Sequence, residues 1–255
     1  MKYIKKFIKK IIKSIQNLYY SINFEAKMKQ RAKAWNEIHS KNYYDMNYPG
    51  EFNLKPYFLP KDVNELQALL SNSYHYKMLS NYITIDKKTV VLDLGCGYGR
   101  FIEFYAPLAS FVYGIDITDY IIDICKTKYA GIENVEFIKN NGYSLKMIDD
   151  NSIDLVSCYT VFQHIPRKAT QSYLKEFSRI LKSDGKIIIQ FQGVKSNNDK
   201  AYKDVGLDKK DYKIQYTKDD IQILATRSKL EIKKIDDDAK GNGLIWYWVT
   251  MGFYI

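Results

Sequence analysis

A glycine-rich loop that directly follows a short apolar run constrains this chain more than any other feature. Residues 90–94 read VVLDL, and residues 95–100 read GCGYGR. An apolar run without polar alternation is typical of a strand buried on both faces, as in a parallel sheet. Glycines let the backbone turn sharply off such a strand and approach a ligand, because no Cβ blocks the way. Ligands of open α/β sheets bind at the carboxyl ends of the strands, so the loop predicts a ligand site there.

Strand and helix patterns alternate after this loop. Helical spacing predicts helices at about 100–105 and along the apolar face that contains Tyr173 and Phe177. Short links between such elements imply parallel strands joined by right-handed crossovers. Together with 90–94, apolar runs predict strands at 111–116, 135–139, 153–157 and 186–191.

Capping residues mark the expected ends of the predicted helices. The helix after the second strand is expected to begin near Thr118 and to end at Gly131, and the later one that contains Tyr173 to end at Gly185. Thr217 is predicted to cap a last helix. The two final strands, at 230–235 and 244–251, are expected to pair as a hairpin.

The residues around the glycine loop discriminate between cofactor classes. The dinucleotide fingerprint G-x-G-x-x-G would need a third glycine where this chain has Arg100, and no G-x-x-x-x-G-K-[ST] phosphate loop occurs. Asp93 stands two positions before Gly95, where a carboxylate repels a pyrophosphate and attracts an amino group. Asp116 ends the second predicted strand, 21 residues after Gly95, and can accept hydrogen bonds from both hydroxyls of a ribose. The pattern disfavours a dinucleotide and favours a nucleoside that carries an amino group.

These residues resemble the class I S-adenosylmethionine-dependent methyltransferase family. The family's D-x-G-x-G-x-G pattern after the first strand, and its acidic residue after the second, are both present. The resemblance is specific over about residues 88–192, extends more loosely to residue 255 and leaves residues 1–80 outside. It implies an α/β fold: a Rossmann-like open, mostly parallel sheet with helices on both faces, a C-terminal antiparallel strand pair and an N-terminal helical extension.

Two regions are expected on this basis. Residues 1–82 would hold a basic amphipathic helix, a connector at about 36–60 and a lid-like helical region near 62–82. Residues 83–255 would form the S-adenosylmethionine-dependent methyltransferase domain.

The same resemblance implies S-adenosylmethionine as the cofactor and assigns residues to it. Asp93 and Gly95 would lie at its methionine amino group, and Asp116 at its ribose. Asn141 and Gly142 stand where the family commonly has Asp-Ala beside the adenine, and the Asn141 oxygen can still bond an adenine amino group. Arg100 would pair with the methionine carboxylate, with a surface role as the alternative. The expected cofactor-binding residues are Asp93, Gly95, Cys96, Gly97, Gly99, Arg100, Asp116, Ile117, Asn141, Gly142 and Tyr159.

His164 is the candidate catalytic residue. It lies in residues 159–166 (YTVFQHIP), just after the fourth predicted strand, and in the family this segment borders the active site. A hydroxyl acceptor has to lose its proton, and histidine is the usual base near neutral pH. The aromatic-Gln-His-Ile-Pro run resembles methyltransferases that act on small metabolites or sugars. The alternative is that His164 fixes the loop by hydrogen bonding.

Positive charge is concentrated at the N-terminal end. The net charge is +10, and residues 1–41 carry eleven basic residues against two acidic ones, so the remaining chain is nearly neutral. Within residues 1–22 a stripe of Ile, Phe, Leu and Tyr faces away from the lysines, which predicts a basic amphipathic helix. This helix can lie on an anionic membrane surface, dock on the domain or another subunit, or bind RNA. Phosphate contacts do not need an Ile-rich stripe, so nucleic acid is the least favoured partner.

The remaining features concern the cell compartment and the activity of the protein. Three scattered cysteines are too few for a disulfide framework or a metal site, and lysines interrupt the apolar residues that a signal peptide would need. We expect a cytoplasmic protein that is peripheral at the inner membrane face if residues 1–22 bind lipid. The predicted function is methyl transfer from S-adenosylmethionine to a hydroxyl oxygen of a small-molecule or glycan acceptor. An RNA methyltransferase and a non-catalytic cofactor-binding membrane adaptor are the alternatives, and an oligomer stays open.

Overall fold

The computed structural model describes residues 24–26, 28–37, 79–194, 214–239 and 245–254. The helix expected over residues 1–22 lies outside these ranges, as do most of the connector and most of the helix expected near 62–82. None of the helices in the described ranges has the length and the apolar character that crossing a bilayer requires.

Within the described ranges, seven strands form one sheet. They are β1 (Val90–Leu94), β2 (Phe111–Asp116), β3 (Val135–Lys139), β4 (Ile153–Cys158), β5 (Leu181–Gly193), β6 (Glu231–Ala239) and β7 (Ile245–Gly252). Their order across the sheet is β3-β2-β1-β4-β5-β7-β6. The first five are parallel to one another, and β7 runs antiparallel between β5 and β6. The predicted Rossmann-like sheet with a C-terminal antiparallel pair is confirmed.

Helices pack on both faces of this sheet. They are α1 (28–37, with 24–26 also helical), α2 (Ile102–Tyr105), α3 (Asp119–Lys128), α4 (Arg167–Ile180) and α5 (Lys218–Arg227). Residues of α4 and α5 share one apolar core, and residues of α2 and α3 share a second core on the other face. Burial of these two apolar surfaces is the main driving force for the fold.

Strand β1 shows why the apolar runs lack alternation. Val91 and Leu92 are neighbours in sequence and point to opposite faces, yet both are fully buried because each face carries helices. β1 pairs with β2 on one side and with β4 on the other. The chain therefore leaves β1 and β4 in opposite directions across the sheet, and a crevice opens at their carboxyl ends.

The structure corrects several predicted element ends. α3 ends at Lys128 and not at Gly131, and Thr118 precedes it without capping it, since its hydroxyl donates to Asp116. α4 ends at Ile180, and Gly185 lies inside β5. Such ends depend on tertiary hydrogen bonds that a local pattern does not report. Thr217 does cap α5: its hydroxyl accepts from the Asp220 N–H, and the Asp220 carboxylate accepts from the Thr217 N–H.

Candidate active site

The glycine loop leaves β1 in a conformation that suits glycine. Gly95, Gly97 and Gly99 have φ angles of +72°, +52° and +83°, a region where a Cβ is strained. At Gly95 the space also matters, because a Cβ would lie 2.2 Å from Cγ2 of Val161. The loop after β4 thus packs directly on the loop after β1.

Asp116 ties the glycine loop to the end of β2. One carboxylate oxygen accepts from the backbone N–H of Gly97 at 3.3 Å. The other accepts from the N–H of Thr118 at 3.0 Å and from its hydroxyl. A carboxylate offers about four lone-pair positions, so the half-buried Asp116 keeps acceptor capacity toward the cavity that it lines. This arrangement fits the predicted contact with ribose hydroxyls.

One cavity of about 230 Å³ lies at the carboxyl ends of β1 to β4. Seven of the residues proposed from the sequence line this cavity. They are Gly95, Gly97, Asp116, Ile117, Gly142, Tyr159 and His164. The cavity therefore joins the predicted cofactor residues to the predicted base.

Asp93 lies beneath the loop and not in the lining of this cavity. It is 1% exposed, and its Oδ2 has no hydrogen-bond partner in the part of the chain that the structure describes. Burial raises the pKa of Asp93 to about 7, against a hydrogen bond from Ser157 that lowers it. Ser157 in turn accepts from the Tyr105 hydroxyl at 2.8 Å. A buried carboxyl with an unsatisfied oxygen favours a nearby cation, so its contact with an amino group stays a prediction.

Cys96 and Gly99 support the loop from behind. The buried Cys96 thiol points toward the Gly97 carbonyl oxygen at 3.6 Å, and the Cys125 thiol donates to the same oxygen at 3.2 Å. The Tyr129 ring covers Gly99, where a Cβ would lie 2.5 Å from its hydroxyl oxygen. Neither position lines the cavity, so the structure shows them shaping the loop, and their contact with a cofactor stays a prediction.

Arg100 and Asn141 also lie outside this cavity lining. Arg100 is half-buried, and its charge lowers the pKa of Asp93. Asn141 is exposed, and its side-chain oxygen accepts from the N–H groups of Tyr143 and Ser144. Their predicted contacts with the methionine carboxylate and the adenine remain untested.

Asn140, which the sequence reasoning passed over, does line the cavity. It is 6% exposed. Its oxygen accepts from the Gly142 N–H at 3.1 Å, and its amide donates to the Tyr173 hydroxyl at 2.6 Å. Tyr173 comes from α4, 33 residues further along the chain. No local pattern could bring these two side chains together.

Helix α1 covers the cavity, which was not foreseen because residues 1–80 lie outside the family resemblance. Trp35 lines the cavity and contacts the His164 ring edge-to-face, with ring centroids 5.2 Å apart. Arg31 donates to the His164 carbonyl oxygen, and the Tyr120 N–H donates to the Asn36 side-chain oxygen at 3.2 Å. The spacing of Met28, Arg31 and Trp35 on one helical face was the available signal.

Tyr159 connects the cavity to the C-terminal strands. Its ring stacks on Trp248 of β7 at 5.6 Å, and Trp248 stacks on Tyr82 at 5.8 Å. Phe101 contacts the Tyr159 ring edge-to-face at 5.2 Å. This aromatic packing holds the Tyr159 ring in place.

The residues of this cavity fit S-adenosylmethionine. A Cβ at Gly97 would meet no atom within 4 Å, so the loop is open to a ligand there. Asp116 can accept from a ribose, Ile117 and Gly142 offer an apolar surface to an adenine, and the unsatisfied oxygen of Asp93 suits a cationic amino group nearby. The described lining residues include no Lys or Arg that would hold a pyrophosphate. Fold and cavity are those expected from the resemblance to the class I S-adenosylmethionine-dependent methyltransferases.

Comparison with known proteins finds a methyltransferase domain in part of the chain. Residues 92–189 match the family described as Methyltransferase domain. The chain is 28% identical to a ubiquinone biosynthesis O-methyltransferase of Coxiella burnetii over 134 residues. These 134 residues make up 52% of this chain and 54% of that relative. The matched region thus spans about half the length of this curated relative. Residues 92–189 therefore match a methyltransferase domain, and the cavity they border has the residues expected for S-adenosylmethionine.

Solved structures share the fold at low sequence identity. The geranyl diphosphate C-methyltransferase of Streptomyces coelicolor, in complex with S-adenosyl-L-homocysteine, has a TM-score of 0.63 and 12% identity, covering 89% of this chain and 98% of that one. The [4+2]-cyclase SpnF has a TM-score of 0.65 and 11% identity, covering 88% and 96%. Likeness at this level shows the fold, and the fold alone does not choose an acceptor.

Proposed function

We propose that this protein transfers the methyl group of S-adenosylmethionine to a hydroxyl oxygen of a small-molecule acceptor. The observation that carries the proposal is the single cavity in which the glycine loop, Asp116 and His164 meet. The name of the Coxiella burnetii relative, an O-methyltransferase, supports oxygen as the acceptor atom. A sugar hydroxyl is the alternative small acceptor that the sequence raised.

Strand order supports a division of the cavity into two ends. Asp116 ends β2, the glycine loop follows β1, and His164 follows β4, on the far side of β1 from β2. A nucleoside held by Asp116, with Ile117 and Gly142 beside it, leaves the β4 end for the acceptor. When bound, S-adenosylmethionine supplies an electrophilic methyl group on a sulfonium.

His164 is proposed as the base at the β4 end. The acceptor oxygen forms its bond to the methyl carbon as the carbon–sulfur bond breaks, the electron pair stays with sulfur, and the His164 imidazole takes the hydroxyl proton. Trp35 and the Arg31 hydrogen bond to the His164 backbone orient the ring. Trp35 of helix α1 also adds an apolar ring to the wall beside His164, which favours alignment of the reacting groups.

The two alternative functions find less support. An RNA methyltransferase would need a basic surface on the catalytic domain, and charge outside residues 1–41 is nearly balanced. A non-catalytic adaptor would be favoured by a blocked acceptor end, whereas Tyr159, Thr160, Val161 and His164 line an open cavity.

Membrane contact through residues 1–22 is part of the proposal. The sequence of this segment combines an apolar stripe with a lysine face, which suits anionic lipid headgroups. A protein held at the inner membrane face could take a sparingly soluble acceptor from the bilayer.

Cofactor binding is tested by Asp116→Ala with Thr118→Val as the matched control. Loss of charge-assisted hydrogen bonds of about 1.5–3 kcal/mol predicts roughly 10- to 150-fold weaker binding of S-adenosylmethionine in calorimetry. Thr118→Val removes the hydroxyl that Asp116 accepts from and keeps the carboxylate, so it should bind nearly as well as wild type. Equal weakening in both variants would show that Asp116 acts only through the loop structure.

The base is tested by His164→Gln in the same binding assay and in turnover. General-base catalysis contributes about 100- to 10,000-fold, so kcat should fall within that range while affinity for S-adenosylmethionine stays within about twofold. If thermal stability and cofactor affinity dropped together with kcat, His164 would be a structural residue and the proposed step would be wrong.

A further inference from the structure

Thr160 adopts a backbone conformation that a β-branched residue rarely takes. Its φ angle is +56°, in the left-handed region where a Cβ is crowded and where a branched one is a genuine outlier. Two other non-glycine residues of the described chain have positive φ angles, Asn151 and Lys229, and both are exposed residues in turns. Thr160 differs from them because it lines the cavity of the proposed active site.

The strained residue stands between two side chains with defined packing partners. Tyr159 stacks on Trp248, and Val161 packs against Gly95 of the glycine loop. The Thr160 hydroxyl makes no hydrogen bond to any residue that the structure describes, although the residue is half-buried at the cavity wall. Glycine or asparagine would hold this conformation at lower cost. Strained residues of this kind persist where the surrounding structure enforces them, and they cluster at active sites and ligand-binding sites.

The chemistry of the β4 end restricts what can bind beside Thr160. The described side chains of this end are an indole, a phenol ring, an imidazole, a threonine hydroxyl and two aliphatic groups, from Trp35, Tyr159, His164, Thr160, Val161 and Ile165. Among the described lining residues Asp116 is the only one with a formal charge at neutral pH apart from the titratable His164, and it lies at the β2 end. A charged acceptor would lose its hydration here without a charged partner. Ring faces and edges suit a planar molecule.

We infer that the β4 end binds an uncharged aromatic hydroxyl compound, and that the Thr160 hydroxyl hydrogen-bonds an oxygen of this acceptor. This inference rests on the proposed function and names its substrate class. Thr160 is a substrate-binding residue in this arrangement, and its backbone strain holds the hydroxyl toward the cavity while Val161 stays on Gly95. If Thr160 had a purely structural role, any residue that adopts the positive φ angle could replace it.

Three substitutions at Thr160 separate the hydroxyl from the strain. Thr160→Val keeps the shape and loses the hydroxyl, so KM for catechol should rise about 3- to 10-fold, the effect of one lost hydrogen bond. Thr160→Ser keeps the hydroxyl and should restore KM to near the wild-type value. Thr160→Gly loses the hydroxyl and relieves the strain, so KM should rise while the melting temperature is equal to or above that of wild type. Affinity for S-adenosylmethionine, measured by calorimetry, should be unchanged in all three.

Lys229→Gly is the matched control for strain relief. It removes a side chain at φ +59° in the turn before β6, so it should match Thr160→Gly in stability and leave KM unchanged. If Thr160→Gly and Thr160→Val methylate catechol with wild-type KM, the hydroxyl has no role and the inference is overturned.

The acceptor class is tested with catechol and protocatechuate, two ring diols that differ by one carboxylate, and with methyl glucoside as a sugar. The wild-type protein should show a kcat/KM for catechol at least about tenfold above that for protocatechuate, because none of the described residues that line this end offers a charged partner to the carboxylate. It should not methylate the sugar. Preference for protocatechuate or for the glucoside would overturn the inference and leave the proposed O-methyl transfer standing. No transfer to any of the three by a protein that binds S-adenosylmethionine would reject the acceptor class, whereas failure to bind S-adenosylmethionine would reject the proposed function itself.

Discussion

Replacing Asp93 by asparagine should stabilise the fold and weaken cofactor binding at the same time. The carboxyl is buried below the glycine loop, its Oδ2 has no partner among the described residues, and burial raises its pKa from 3.8 to about 7. A difference of about three pKa units corresponds to about 4 kcal/mol of unfavourable free energy for the ionised form. Asparagine cannot ionise, so it removes this unfavourable free energy. It leaves one buried N–H group unsatisfied, at a cost of about 1–3 kcal/mol.

The effect should depend on pH with a defined sign. The folded-state pKa lies above the unfolded one, so between about pH 4 and pH 7 the folded protein keeps a proton that the unfolded chain releases. Raising the pH through this window therefore lowers the free energy of unfolding of the wild type. Asp93→Asn lacks this contribution, so the variant should be more stable than wild type by about 2 kcal/mol at pH 8 and less stable by about 2 kcal/mol near pH 4, where only the unsatisfied N–H group remains.

Urea unfolding of wild type and Asp93→Asn at pH 4, 6 and 8 measures this difference directly. The exposed Asp123→Asn serves as the control for removing one negative charge from the surface. Calorimetry at pH 8 should show affinity for S-adenosylmethionine reduced about 10- to 150-fold, the effect of a lost charge-assisted hydrogen bond. A variant that is less stable than wild type by the same amount at all three pH values would refute the reasoning about the buried charge.

Two further predictions concern the loop support and the N-terminal segment. Gly99→Ala places a Cβ 2.5 Å from the Tyr129 hydroxyl oxygen at a φ angle of +83°. The free energy of unfolding, measured in urea, should therefore fall by about 2–4 kcal/mol. A value within about 0.5 kcal/mol of wild type would show that Tyr129 moves aside freely. Residues 1–22 should bind anionic vesicles less tightly as salt rises, and Ile8→Glu with Ile12→Glu should abolish sedimentation with them. Absence of vesicle binding by the wild type would reject the membrane proposal, and unfolding on deletion of residues 1–22 would favour docking on the domain.

Local patterns were sufficient for the elements that build the cofactor half of the site. β1 and β2 were predicted with their observed bounds, because apolar runs without alternation report burial on both faces. The glycine loop was predicted because positive φ angles and a close approach at Gly95 call for that residue type. Asp116 followed from its place at the end of β2, which the parallel sheet sets beside the end of β1.

Other parts of the cavity wall depended on contacts between distant segments. Arg31 and His164 are 133 positions apart, and Asn140 and Tyr173 are 33 apart. Cys96 and Gly99 belong to the predicted motif, yet packing against Cys125 and Tyr129 places them behind the loop. The motif therefore located a loop that borders the cavity and could not say which of its residues would line it.

By itself the sequence determined the class of sheet, the glycine loop, Asp116 and the segment that holds His164, because hydrophobic period and glycine position are local properties of the chain. Only the tertiary structure decided that α1 covers the cavity with Trp35, that Asp93 is buried with a raised pKa, and that Thr160 is held at a positive φ angle. These features arise where separate elements meet, and the free energy that enforces them comes from burial of the two cores, which no short stretch of sequence contains.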